Sequence, residues 1–376
     1  MTKRSIQLFA PSFAVDDCLA EIRICLEKGW TGIGFKTIEF EQKFSEYIGL
    51  PYCHYTNSDT NGIHLLLELL KMTRGWQDGD EIISTGMTFV STNHSILHAD
   101  LVPVFADVDD SLCITTSEIE KKIGPKTRAV MFVAIGGNSG EIESIAELCR
   151  ARGLLLILDA AHAAGSKLNG RDLSNYADYT IYSFQAVKNL PTGDSGMITL
   201  RTEEENKLVR ELSWCGINKD TYARSQDGYK WYYSVDNAGF KYHGNSIMAS
   251  IAIVELRSLD AGNVRRREIA AFYARELAGT GSLRYIPHSN EAESSRHLVQ
   301  FILDERNDLI EYLDGRGIGT GVHYRSNARY PMYAKNDIPY ANAIDERIIS
   351  LPCHLKMTED DLNYVVECIK DFYAQA

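Results

Sequence analysis

The chain has 376 residues, 44% hydrophobic and 24% charged, enough for about two or three globular domains. Lys+Arg number 39 against 51 Asp+Glu, a net charge of −12 that speaks against nucleic acid or an anionic membrane as partner, since both are held by clustered cations. No apolar run reaches the ~18 residues that span a bilayer, the first residues lack the apolar stretch of a signal peptide, and eight scattered cysteines without CxxC spacing read as free thiols of a cytoplasmic protein with no zinc or other metal site.

The opening segment is helical. Asp16 to Lys28 and Ile38 to Ile48 carry apolar residues at three-to-four spacing, and Thr60 to Lys71 does so again. Strand-like and helical runs then alternate: EIIST, a helix over FVSTNHSILHAD, LVPVFADV, a helix over SEIEKKI, AVMFVAI, a helix over IESIAELCRARG, and LLLILDAA. The strand runs are rich in Val, Ile and Leu without polar alternation, as in parallel strands covered by helices on both faces. DYTIYSFQA and GMITL add two more strands. The pattern predicts a doubly wound α/β domain over residues 1–251. Beyond it, a long helix from Asn245 to Ala278, broken near Gly262, leads into LRYIP, HLVQFIL, a helix over NDLIEYLDGRG, GVHY and a last helix over TEDDLNYVVECIKDFY. Residues 252–376 therefore read as a smaller α+β domain. Arg265-Arg266-Arg267 opens a helical stretch and reads as a solvated or interface-facing helix end.

Ligands of open α/β sheets bind beyond the carboxyl ends of the strands, so the residues just after each apolar run are the candidates. Asp159 follows LLLIL and needs a cationic or donor partner if buried. His162 stands three residues on. Lys188 follows the strand of YTIYSFQAVKNLPTGDSG, where partial burial frees its amine for Schiff-base chemistry. Ser58-Asp59-Thr60 runs into a helix and can cradle an anion, or simply cap the helix. Phe89 opens a helix where a ring can stack on a flat cofactor or pack in the core. Gly317 to Gly321 follows a helix and precedes a strand, the wrong order for a dinucleotide turn. An anion cradle, a stacking ring, a strand-end Asp and a strand-end Lys are together the parts that hold pyridoxal phosphate (PLP).

The arrangement resembles the DegT/DnrJ/EryC1/StrS sugar aminotransferases, fold-type I PLP enzymes. The resemblance runs through Lys28-Gly29-Trp30-Thr31-Gly32-Ile33-Gly34, TNSDTNGIHLLLELL, GDEIISTGMTFVST, LDAAHAAGSKLNGR, YSFQAVKNLPTGDSGMITL, GFKYHGNSIMASIAIVEL, GIGTGVHY and ISLPCHLKMTEDDL. It implies a mostly parallel seven-stranded sheet, a small C-terminal domain and a homodimer with sites at the interface. By that resemblance Lys188 forms the Schiff base and moves protons, Asp159 pairs with the pyridine nitrogen, His162 contacts the ring hydroxyl and Phe89 stacks on the ring. Ser183 binds the phosphate with Ser58, Asp59 and Thr60, and Asn245 makes a further phosphate or substrate contact. Trp30, Thr31, Gly32, Ile33, Lys241, His243, His323 and Tyr324 resemble substrate-lining positions. Three segments depart from the family pattern: Ala134 to Asn138, Gln185, and Asp59 with Asn61-Gly62 in the cradle.

The implied activity is transfer of an amino group from an amino acid, glutamate by resemblance, to a keto sugar, a nucleotide-linked 4-keto-6-deoxyhexose, through PLP and pyridoxamine phosphate. Related dehydratases carry His at the lysine position, so Lys188 favours transamination. A PLP-dependent sugar dehydratase and a non-catalytic sugar-binding homologue are the alternatives.

Overall fold

A computed structural model describes residues 4–219, 221–226 and 231–375. The first half contains α1 (Val15–Glu27), α2 (Phe35–Ile48), β1 (Tyr52–Thr56), α3 (Asp59–Arg74), β2 (Glu81–Thr85), α4 (Val90–His98), β3 (Val102–Ala106), α5 (Thr116–Glu120) and β4 (Thr127–Val133). Next come α6 (Ile142–Arg152), β5 (Leu155–Asp159), the short hairpin β6 (Lys167–Leu168) and β7 (Arg171–Asp172), β8 (Tyr179–Ser183), β9 (Gly196–Leu200), α7 (Glu203–Ser213) and α8 (Thr221–Gln226). The remainder is α9 (Ser246–Leu256), α10 (Leu259–Glu276), β10 (Arg284–Tyr285), β11 (Val299–Ile302), α11 (Arg306–Gly315), α12 (Pro339–Ile344), β12 (Ile348–Leu351) and α13 (Glu359–Gln375).

Seven strands form one sheet in the order β1-β9-β8-β5-β4-β2-β3. Only β9 is antiparallel to its neighbours, β1 and β8. Side chains alternate along each strand, and here both faces are apolar. Ile82, Met131, Ile157 and Ile181 join the helix α3 leucines, while Ile83, Phe132, Leu158 and Tyr182 join Phe40 and Phe44 of α2. Leu65, Leu66, Leu67, Leu69 and Leu70 are fully buried, each stabilising the domain by roughly 1.5–3 kcal/mol. A three-stranded antiparallel sheet, β10-β11-β12, packs with α10, α11 and α13 around a second core. Ile6 belongs to that second core, and its N–H donates to the Gly317 carbonyl at 2.8 Å. The Gly317–Gly321 run thus holds the N-terminal segment.

Two elements escaped the sequence patterning and two expectations are corrected. β1 has two polar residues in five, which hid it from apolar patterning. Its His54 is buried because Ser213 Oγ lies 2.8 Å from Nε2 and Glu41 Oε1 lies 3.3 Å from Nδ1. α7 was also unread, since its apolar stripe is only Leu208, Val209 and Leu212 within a charged sequence. The long helix breaks at Arg257-Ser258, and Gly262 sits inside α10, where a Cβ would approach Leu355 Cδ1 to 3.2 Å. GVHY makes a single bridge, Gly321 to Ser350, in place of a strand. Among the described residues no helix is long and apolar enough to cross a membrane.

Candidate active site

The carboxyl ends of the parallel strands converge on one edge. β1 leads through Ser58 into α3, β2 through Phe89 into α4, β5 ends on Asp159 and β8 on Ser183. β9 runs the other way, so its start, with Asp194 and Ser195 before Gly196, meets the same edge. Together they line a cavity of about 410 Å³ that includes Ser58, Asp59, Thr60, Phe89, Asp159, His162, Ser183, Lys188, His323 and Tyr324. That volume lies within the ~300–1,000 Å³ of small-ligand sites.

Asp159 is 2% exposed. Burial raises its pKa, while three groups favour the ionised form: the Thr92 hydroxyl donating to Oδ2 at 2.7 Å, the Ala161 N–H donating to Oδ1 at 3.0 Å, and the Lys188 ammonium. Thr92 in turn lies 3.0 Å from the Thr88 hydroxyl, one helical turn before it. Lys188 is pushed below the usual lysine range by burial, which Asp59 and Asp159 partly counter. Its loop is pinned by backbone bonds from Phe184 to Ser195 and from Ala186 to Gly193, both 2.8 Å.

His162 is neutral with a defined tautomer. The Gly136 N–H donates to Nδ1 at 3.1 Å, so the ring proton is on Nε2, which donates to the Tyr324 hydroxyl oxygen at 3.0 Å. Burial, with Lys188 and His297 adding to it, holds His162 well below the usual histidine range. His297 Nδ1 donates to Asn189 Oδ1 at 2.8 Å, because the Asn189 amide nitrogen already donates to Asn263 and Ser295. His323 is pushed down to about 4 by burial and then by Lys188. The cavity therefore mixes one amine and the carboxyls of Asp59, Asp159 and Asp194 with neutral imidazoles and a phenol.

The N-terminus of α3 presents unpaired amide protons and a positive dipole end, an anion site. Ser58 is the N-cap, its Oγ accepting from the Asn61 N–H at 3.1 Å. Gly196 abuts this start so closely that a Cβ would lie 2.7 Å from the Asp59 nitrogen. Phe89, 58% exposed, stands at the cavity mouth with its ring 6.1 Å from that of Tyr324.

A comparison with family models matches residues 14–370 to the DegT/DnrJ/EryC1/StrS aminotransferase family. The chain belongs to that family. Its members are PLP-dependent, and the fold and enzyme class read from the sequence stand. The spore coat polysaccharide biosynthesis protein SpsC of Bacillus subtilis is 33% identical, with 94% of this chain and 93% of SpsC aligned. The aminotransferase TlmJ from Streptoalloteichus hindustanus is 31% identical with a TM-score of 0.91, over 99% of this chain and 100% of TlmJ. The proposed sugar aminotransferase Spr1654 from Streptococcus pneumoniae, in its PLP form, is 28% identical with a TM-score of 0.90, over 99% of each chain.

Within this DegT-family chain some candidate residues lie apart from the cavity. Asn245 caps α9, accepting from the Met248 N–H at 3.0 Å. The loop Trp30 to Ile33 packs on that same helix start, where the Ser246 N–H donates to the carbonyls of Thr31 and Gly32 at 3.1 and 2.8 Å. Lys241 Nζ lies 3.0 Å over the Trp214 ring, and His243 packs edge-on against that ring at 4.5 Å. Thr88, Thr92, Asp194, Ser195, His297 and Phe9 line the cavity unforeseen. His297 stands at the start of the apolar run HLVQFIL, two residues before β11.

Proposed function

We propose that the protein moves an amino group from an amino acid, glutamate in the first instance, to a keto sugar, a nucleotide-linked 4-keto-6-deoxyhexose. The observation that carries the reading is the shared cavity in which Lys188 faces buried Asp159 beside the start of α3. The residues present fit PLP: a buried carboxylate without a cationic side chain bonded to it, a depressed lysine, and an anion site at a helix start. When bound, PLP supplies an electron sink that lets an amino group and a proton be moved at carbon.

Around it Lys188 would hold the aldehyde end through Nζ, and its amine would take and return the proton. Asp159 keeps the pyridine nitrogen protonated. Its ionised form is retained by Thr92 and Ala161. Ser183, Thr60 and the first amides of α3 bind the phosphate. His162 contacts the ring hydroxyl, Phe89 covers the ring at the mouth, and His323 and Tyr324 face the substrate. Trp30 to Ile33, Lys241, His243 and Asn245 serve the site of a second copy in a homodimer. Donor and acceptor use one cavity in turn, which gives ping-pong kinetics. SpsC, named for polysaccharide biosynthesis, supports a sugar as acceptor.

The test is an absorbance titration with PLP, then glutamate, then a panel of nucleotide-linked keto sugars, with products read by mass spectrometry. The wild type should gain a visible band that glutamate removes and a keto sugar restores with formation of an amino sugar. Lys188→Ala should not gain it. Absence of the band in the wild type, or a dehydrated sugar as product, would overturn the reading.

A further inference from the structure

Asp59 is the first residue of α3, at the point where the proposed function places a phosphate. It is 8% exposed, it lines the cavity, and its Oδ1 is buried without a hydrogen-bond partner among the described residues. The Ser58 hydroxyl is already engaged as the cap. The groups acting on Asp59 come from two other segments: the Asp159 carboxyl at the end of β5, which opposes its ionisation, and the Lys188 ammonium after β8, which favours it. Tyr324 feels both carboxyls and is pushed above the usual phenol range, chiefly by burial. Asp194 lines the same cavity, and the three histidines there, 162, 297 and 323, are held neutral. A phosphate at the α3 amides would therefore meet an ionised Asp59, with Lys188 the one cation among the described residues this chain gives to the cavity lining, in a site of low dielectric where like charges repel strongly.

We propose that Asp59 acts in its protonated form as a hydrogen-bond donor to the phosphate of PLP, so that binding the phosphate is coupled to a proton on this carboxyl. The proposal rests on the PLP reading above. A proton from solvent occupies one Asp59 oxygen, and the O–H donates to a phosphate oxygen. The unpartnered Oδ1 gains its partner, and the repulsion is removed. Burial, followed by the neighbouring Asp159, already raises Asp59 well above the usual carboxylate range, against the pull of Lys188.

The experiment compares wild type with Asp59→Asn, whose amide is a permanent donor of similar shape. PLP affinity is measured by fluorescence titration from pH 6 to 9, and proton uptake by calorimetry in buffers of different ionisation heat. Pyridoxal, which lacks the phosphate, is the control ligand. The phosphate and aldehyde titrations of PLP are common to both proteins and cancel in the ratio. Relative to the variant, wild-type affinity should fall with rising pH, approaching tenfold per pH unit above the Asp59 transition, with up to one more proton taken up. The difference should vanish with pyridoxal. Parallel profiles with equal proton counts would overturn the proposal, as would an equal difference with pyridoxal, which would assign the proton to Lys188 chemistry. Asp59→Ser, a smaller donor, repeats the comparison if the Asn variant melts early without ligand. Failure of wild type to bind PLP at any pH would instead overturn the functional reading.

Discussion

Replacing Thr92 by valine removes a single hydroxyl and keeps the side-chain shape. That hydroxyl donates to Asp159 Oδ2 at 2.7 Å, and both side chains are buried. Hydrogen bonds to a charged group are worth roughly 1.5–3 kcal/mol, and about 1.4 kcal/mol is a factor of ten. Burial opposes ionisation of Asp159, so losing Thr92 raises its pKa further and weakens its hold on a pyridinium. PLP should bind Thr92→Val roughly 10- to 100-fold more weakly at neutral pH. The decrement should shrink as the pH rises, because more of the Asp159 is then ionised unaided. Thr92→Ser, which retains the donor, should stay near wild type. Fluorescence titration of PLP reads the affinity, and thermal melts without PLP verify that all three proteins are folded. Binding within twofold of wild type for Thr92→Val, or a Ser variant as weak as the Val variant, would refute the assignment of Thr92 as the residue that keeps Asp159 ionised.

In Gly196→Ala the new Cβ meets Asp59 N at 2.7 Å and the Ser58 carbonyl at 2.8–2.9 Å, all backbone, so β9 and the start of α3 must part. PLP and inorganic phosphate should both bind more weakly by titration, and unchanged phosphate affinity would refute a cradle at this contact. Leu66→Ala in the fully buried face of α3 should destabilise the protein by about 2–5 kcal/mol in urea unfolding, since the removed atoms leave a cavity. The His323 ring, at about 4 folded against 6.5 ordinarily, binds its proton more readily in the unfolded chain. Stability of the cofactor-free protein should therefore fall as pH drops from about 6.5 towards 4, with this residue contributing up to about 1.4 kcal/mol per pH unit. Unfolding curves of His323→Gln should show a shallower fall, and an unchanged slope would contradict a half-buried neutral ring.

The strands that were legible were those buried on both faces, because Val, Ile and Leu runs such as LLLIL leave no competing pattern. The same rule blinded the reading to β1, where buried His54 sits with Ser213 Oγ 2.8 Å from Nε2 and the Glu41 carboxylate 3.3 Å from Nδ1. Asp159 and Lys188 were visible as charged residues at the ends of apolar runs. Thr92 and His297 were not, since a threonine on a helix and a histidine opening a strand look the same whether they serve a cavity or a core. The fold alone brings residues 92, 159, 188 and 297 together. The loop Trp30 to Ile33 and residues 241 to 245 came from family resemblance, and no spacing in the chain could place them against a cavity lined by other segments.

The turn over residues 134–138 fixes the tautomer of His162. Gly136 and Gly137 follow the end of β4 with φ of 62° and 94°, conformations that L side chains rarely adopt. A Cβ on Gly137 would lie 2.0 Å from Ser295 Oγ, so the turn is pressed against the residues just before β11. That turn directs the Gly136 N–H at His162 Nδ1. With Nδ1 committed as an acceptor, the neutral ring must carry its proton on Nε2, facing Tyr324. A protonated His162 would lack an acceptor at Nδ1 and would add a cation beside Lys188, the second-largest influence, after burial, holding its pKa down. Two backbone dihedrals thus set which nitrogen of a buried imidazole can donate into the cavity, and they keep the positive charge of the site on Lys188.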